Sequence, residues 1–171
     1  QVGVHTVRHV GAVDRHRPPC RPAVARDGVG LPLFGSVERL LGQRGFLAGI
    51  VPLVKGALDD PVQMWLVYPP DFNPKKKYPV MHNIHGGPHT CWNDTWHWRW
   101  NMQMFAASGY VTCAVNYHGS SGFGQKFLSS INGDWGRREM ADVEAGTDYM
   151  LATGTIDAKR MVATGGSYGG Y

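Results

Sequence analysis

The 171-residue sequence contains no apolar run approaching the ~18 residues of a membrane helix, so no membrane-spanning segment is expected. Residues Gln1 to Val13 are broken by histidines and an arginine and lack the uninterrupted apolar core of a secretory signal, which leaves the compartment open between cytoplasm and periplasm. Cysteine is scarce: Cys20, Cys91 and Cys113 are widely spaced, with no Cys-x-x-Cys. That excludes a disulfide framework and a zinc knuckle and leaves buried or incidental thiols. Lysine is missing from residues 1–53, which hold seven arginines and three acids for a charge of +4. From Val54 onward four arginines and six lysines meet ten acids. The basic excess therefore belongs to the first segment alone, and no basic face for nucleic acid is expected on the rest.

What is present reads as globular, with 43% hydrophobic and 18% charged residues. Residues 1–53 are rich in Val, Arg, Gly and Pro and carry no sustained periodicity beyond a brief helical pattern at Val37 to Leu41. They read either as a linker or remnant of a preceding domain, or as sequence that is not native coding. The composition changes near Val54, and from Gln63 the pattern becomes regular. Gln63–Tyr68 and Tyr78–Ile84 read as strands around a polar turn whose three lysines are a solvated loop. A helix is expected from the caps Asp94 or Thr95 to just before Gly109, with Trp96, Trp100 and Met104 on one face. Tyr110–Val115 reads as a strand, Asn116–Gly136 as a long glycine-bearing loop, and Arg137–Thr153 as a helix with Met140, Val143, Thr147 and Leu151 on its apolar stripe and Gly154 as cap. Arg160–Thr164 is a further strand. This order predicts an α/β fold with a mostly parallel sheet and flanking helices.

The chemistry is concentrated in Gly165-Gly166-Ser167-Tyr168-Gly169-Gly170-Tyr171. A Gly-x-Ser-x-Gly pattern directly after a strand and before a helix is the nucleophile elbow of an α/β-hydrolase, with Gly165 and Gly169 standing where side chains would collide. Ser167 is then the candidate nucleophile, in need of a histidine base and an orienting carboxylate. Upstream, His85-Gly86-Gly87-Pro88 lies at a strand end. In this fold such a loop gives one backbone N–H to the oxyanion hole and the residue after the serine gives the other. On that logic Gly87 and Tyr168 are main-chain donors, while His85 and Gly86 support the loop. Other readings fare worse. The glycines lack the Gly-Lys-Ser/Thr ending of a phosphate loop. His82 and His85, three apart on a strand, point to opposite faces and do not make a metal pair. Trp92, Trp96, Trp98 and Trp100 read as core and interface packing, because no basic groove accompanies them.

From about Val54 to Tyr171 the sequence resembles the catalytic domain of the prolyl oligopeptidase family of serine peptidases, in its dipeptidyl-peptidase and acylaminoacyl-peptidase-like branch. The resemblance rests on Met64–Pro70, His85–Pro88, Trp92 and Trp96 with Arg99, Gly109-Tyr110, Asn116–Gly124, Gly133–Gly136, Asp142 and Gly165–Tyr171. It leaves residues 1–53 unmatched. The family pattern carries arginine where this chain has His118. The resemblance implies cofactor-free hydrolysis of short peptides through an acyl-enzyme, with a β-propeller ahead of the hydrolase domain. It also places the triad Asp and His after the serine. The expectation is an incomplete α/β-hydrolase fold, cut just after the elbow, nearly inactive alone and open to self-association through an exposed sheet edge. Alternative readings are an esterase or lipase-type hydrolase fragment and a non-catalytic interaction fragment.

Overall fold

The computed structural model describes residues 49–50, 52–93 and 97–171. The helical pattern at Val37 to Leu41 and the position of Trp96 lie outside them. Six strands form one sheet: β1 (Gly49–Ile50), β2 (Leu53–Lys55), β3 (Pro61–Val67), β4 (Tyr78–Ile84), β5 (Val111–Val115) and β6 (Ile156–Gly165). Their order is β1-β3-β5-β4-β6, with β2 also paired to β3. The expected parallel pairing is found around β4, to which β5 and β6 both run parallel. The other side is antiparallel, so the sheet is mixed. The short turn Ala57–Asp59 between β2 and β3 has room only for a hairpin, whereas β4 and β5 are joined through a helix.

Alternation decides the faces. Val62, Met64 and Leu66 of β3 are buried while Gln63 and Trp65 between them are half-buried. β5 is buried at every position, which explains its unbroken run Val-Thr-Cys-Ala-Val as a central strand covered on both sides. Helix α1 (Met102–Ala107) covers one face, where Met102 and Ala106 pack with Val67 and Ala114. Helix α3 (Arg137–Ala152) covers the other, where Met150 joins Val54, Met64, Leu66, Val111 and Val115. Cys113 is buried in that core, its thiol 3.2 Å from Met64 Sδ, and burial pushes its pKa up. No helix among the described residues is long and apolar enough to cross a membrane.

Three expectations need correction. The expected caps Asp94 and Thr95 lie outside the described residues, and among the described residues the α-helix starts at Met102: Asn101 is the cap, its Oδ1 accepting from Met104 N at 3.0 Å. Before it, His97 Nδ1 accepts from the N–H groups of Arg99 and Trp100, a local turn that competes with the helix. The loop from Asn116 contains a short helix, α2 (Gln125–Ser129). The inward face of α3 is Glu139, Asp142, Gly146 and Met150, while Met140 is 55% exposed. Two carboxylates face inward because backbone N–H groups of the packed loops need acceptors there.

His82, on the α3 side of β4, is buried and bonds Thr147 Oγ1 through Nε2 at 3.2 Å. The Thr147 hydroxyl gives its own proton to Val143 O, so the neutral ring carries its proton on Nε2. Burial lowers the His82 pKa to about 4, and that of His85, discussed below, also to about 4. Imidazoles of the unfolded chain titrate near 6.5. Between these values the unfolded state binds the extra protons, so stability is complete above pH 6.5 and is lost as pH falls towards 4. The expected loss is about 3 kcal/mol for each histidine. Urea unfolding at pH 7 and pH 4.5 measures it. His82→Gln should flatten the slope, and an unchanged slope would count against this assignment.

Candidate functional site

β6 runs beside β4 as far as Gly165, whose partner is Ile84, and the chain then turns through Gly166 into a single 3-10 turn, Ser167–Gly170. The turn is tight enough to exclude side chains at two positions. A Cβ on Gly165 would stand 2.1 Å from Gly169 O, and one on Gly169 would stand 2.2 Å from Ile84 O. That crossing is the physical content of the Gly-x-Ser-x-Gly spacing. Between the glycines Ser167 is held at φ 55, a left-handed conformation that a non-glycine residue adopts at a cost. Its side chain is exposed, and its hydroxyl has no hydrogen-bond partner among the described residues.

The loop after β4 comes against this turn. Gly86 is the glycine packed on it: a Cβ there would lie 3.3 Å from Ser167 Cβ and 3.7 Å from Tyr168 N. Gly87 is one residue further on, at φ +119. His85 holds the loop from beneath. Its Nδ1 lies 2.7 Å from Gly86 O and its Nε2 2.8 Å from Ser120 Oγ, and its ring stacks on Tyr117 at 4.1 Å. Tyr117 in turn donates its hydroxyl to His85 O at 2.6 Å. With the His85 pKa lowered to about 4 by burial, the ring is neutral at pH 7 and its one proton goes to Gly86 O. The Gly86–Gly87 peptide is trans, so fixing its C=O on one side directs the Gly87 N–H to the other.

The segment after Pro88 is tied down by Asn116, which is fully buried. Its Oδ1 accepts from Trp92 N at 2.6 Å, and its Nδ2 donates to Trp92 O at 2.9 Å and Gln63 Oε1 at 2.8 Å. Between this segment and the elbow lies a cavity of about 500 Å³, lined by Gly86, Cys91, Trp92, His97, Arg99, Trp100, Ser167 and their neighbours. One wall is close: a Cβ on Gly166 would meet the Trp100 ring at 2.8 Å.

The network behind the loop centres on Asp142, which sequence reading took only as part of a family pattern. It is fully buried and accepts from Ala57 N, from His118 N and from His118 Nδ1 at 2.6–2.7 Å. Burial pushes its carboxyl pKa up while these bonds pull it down. His118, standing where the family pattern has arginine, is also fully buried, stacks on Phe127 at 4.3 Å and turns Nε2 towards Asp60 Oδ2 at 3.4 Å. Glu139 is the second buried carboxylate that sequence reading missed. A glutamate three residues after Gly136, where α3 begins, was the available signal.

No described histidine makes a hydrogen bond to Ser167. His85 has both ring nitrogens engaged, and His82 bonds Thr147 within the α3 side of the core. His118 lies between carboxylates. His97, which lines the cavity, accepts with Nδ1 and so carries its proton on Nε2 when neutral. His89 has its Nδ1 on Gly119 O at 2.8 Å. Among the described residues no group of three or more His, Cys, Asp or Glu side chains could hold a metal ion.

Comparison with known proteins gives these features a context. Residues 96–171 match the model of the prolyl oligopeptidase family. Over 111 residues, 64% of this chain, the sequence is 44% identical to dipeptidyl-peptidase 5 of Schizosaccharomyces pombe, of which it covers 16%. Over 107 residues, 63% of the chain, it is 42% identical to dipeptidyl-peptidase 5 of Porphyromonas gingivalis, again covering 16% of that protein. The chain thus spans about a sixth of the length of these relatives. The fold superposes on Pyrococcus horikoshii acylaminoacyl peptidase with a TM-score of 0.67 and 26% identity, covering 75% of this chain and 21% of that one. It superposes on Porphyromonas gingivalis dipeptidyl peptidase 4 with a TM-score of 0.66 and 26% identity, covering 74% and 18%. The described sheet and helices are accordingly part of an α/β-hydrolase domain.

Proposed function

Since over residues 96–171 the chain belongs to the prolyl oligopeptidase family of serine peptidases, we propose that Ser167 is the nucleophile of a peptidase that cleaves short peptides through an acyl-enzyme. Residues 54–171 are then part of the peptidase domain, with β1 and β2 extending its sheet. The observation that carries this reading is the elbow itself, which presents Ser167 at φ 55 on the rim of a cavity, its hydroxyl without a hydrogen-bond partner among the described residues.

In the proposed reaction Ser167 Oγ attacks the substrate carbonyl, and its proton passes to a general base supplied from outside the described residues. The carbonyl oxygen becomes negative and is met by the N–H groups of Tyr168 and Gly87, the latter aimed by His85 through Gly86 O. Fixed donors of this kind are each worth about 3–4 kcal/mol of barrier. Collapse of the tetrahedral adduct expels the amine, which takes up the proton, and leaves the acyl group on Ser167. Water then repeats the sequence and frees the serine. His85 and Gly86 act as supports, Gly165 and Gly169 permit the turn, and no step requires a cofactor.

A fluorophosphonate probe tests the assignment. In the full-length protein the adduct should map to Ser167 by tryptic mass spectrometry, and a peptide nitroanilide should be cleaved faster than a short-chain ester. An adduct on another residue, or none, would refute the nucleophile. A preference for the ester would move the substrate class away from peptides.

A further inference from the structure

Glu139 is 6% exposed, although burying a carboxylate costs several kcal/mol unless it is fully bonded. One bond is that of an ordinary helix cap: Oε2 accepts from Gly136 N at 3.1 Å at the start of α3. An exposed glutamate would serve that purpose equally well. The second oxygen does something else, because Oε1 accepts the phenol proton of Tyr168, the residue directly after Ser167. The Tyr168 ring is further enclosed by Trp135, edge-on at 5.5 Å, and by Tyr171, stacked at 5.6 Å. Tyr168 has two degrees of freedom that matter at the elbow, its side chain and the peptide plane that carries its N–H. Its backbone lies in the 3-10 turn Ser167–Gly170 directly after β6.

Resting on the reading of Ser167 as nucleophile, we propose that Glu139 is a positioning residue for the oxyanion hole, holding the Tyr168 side chain against the N-terminus of α3 and thereby fixing the direction of the Tyr168 main-chain N–H. α3 runs over 16 residues and packs through Met150 against the sheet core, and the Glu139–Tyr168 bond ties the elbow to it. The electrostatics agree: Tyr168 hydroxyl ionisation is pushed up by burial and by the adjacent Glu139 carboxylate, so the phenol keeps the proton it donates.

The experiment uses Tyr168→Phe, Glu139→Gln and the double variant in the full-length protein. Tyr168→Phe removes only the phenol bond and leaves the cap of α3 intact. It should lower kcat about tenfold, short of the ~10²–10³ that outright loss of an oxyanion donor costs, with KM within about twofold. Binding of a peptide boronate, which forms the tetrahedral adduct, should weaken by the same factor. Glutamine can satisfy only one of the two donors, so Glu139→Gln should fall by a similar factor, and the double variant should be no worse than the poorer single one. Multiplicative losses, or an unchanged kcat in Tyr168→Phe with Glu139→Gln merely lowering the melting temperature, would reduce Glu139 to a cap and overturn the proposal. Labelling of the wild type at Ser167 separates the two readings. A labelled wild type with an unaffected Tyr168→Phe sinks only the positioning role, and an unlabelled wild type sinks both.

Discussion

Ser167→Ala is expected to lower kcat for peptide nitroanilide hydrolysis by about 10⁶-fold, because no other group on the elbow can form the acyl-enzyme. The substitution removes one oxygen atom from an exposed side chain with no hydrogen-bond partner among the described residues. Nothing buried is left unpaired, so the melting temperature should stay within about 2 °C of the wild type. KM should change little, since the walls of the cavity, including Trp92, Arg99 and Trp100, are untouched. What should survive is the catalysis that the proposed oxyanion donors, the N–H groups of Tyr168 and Gly87, give to attack by water. A variant retaining a tenth of the wild-type rate would show that the nucleophile lies elsewhere, with folding verified by the unchanged melting temperature.

Asp142→Ala should have the largest effect on stability, about 3–5 kcal/mol, read as the shift in urea unfolding. The carboxylate joins three pieces of chain: Ala57 at the start of the turn before β3, α3 on which it sits, and His118 in the loop after β5. Alanine would leave two backbone N–H groups and an imidazole buried without their acceptor, and each such orphan is costly. The damage should reach the site. His118 is two residues from Ser120, which bonds His85, which in turn aims the Gly86–Gly87 peptide. Asp142→Ala is therefore expected to reduce the rate of Ser167 labelling as well, even where the protein remains folded. Asp142→Asn keeps the volume and one acceptor oxygen and should cost less. Equal costs for the two variants would show that packing volume, and not the carboxylate, matters at this position.

Much of this site was legible in the sequence because its parts are local. Gly165, Ser167 and Gly169 act within one turn, and His85 to Pro88 act at one strand end, so spacing alone carries their meaning. β4 falls on Tyr78–Ile84 as its pattern indicates, flanked by a polar turn and a glycine pair. What escaped depends on partners distant in sequence. The stripe expected on α3 followed apolar residues through Met140, whereas the buried stripe lies one residue earlier at Glu139 and Asp142. It lies there because Tyr168, His118 and Ala57 bring donors to that face, and no helical periodicity encodes them. The start of α1 escaped for a different reason: a histidine ring nitrogen at His97 competes for the N–H groups of the expected first turn. β1 and β2, two and three residues long, are too short to leave a pattern.

The strand order has a consequence for how the site comes into being. β4 pairs with β5 at Val80↔Val111 and with β6 at Val80↔Met161, so its second neighbour is reached only through a loop of about 80 residues, costing about 4 kcal/mol of closure entropy. Such distant pairing forms late in folding. Gly165 and Gly169 close the elbow against Ile84, the last residue of β4. During synthesis, then, the strands around β3 can assemble while no surface yet exists to hold Ser167 in its strained conformation. The turn that holds Ser167, the proposed nucleophile, is therefore organised only once β6 has paired with β4.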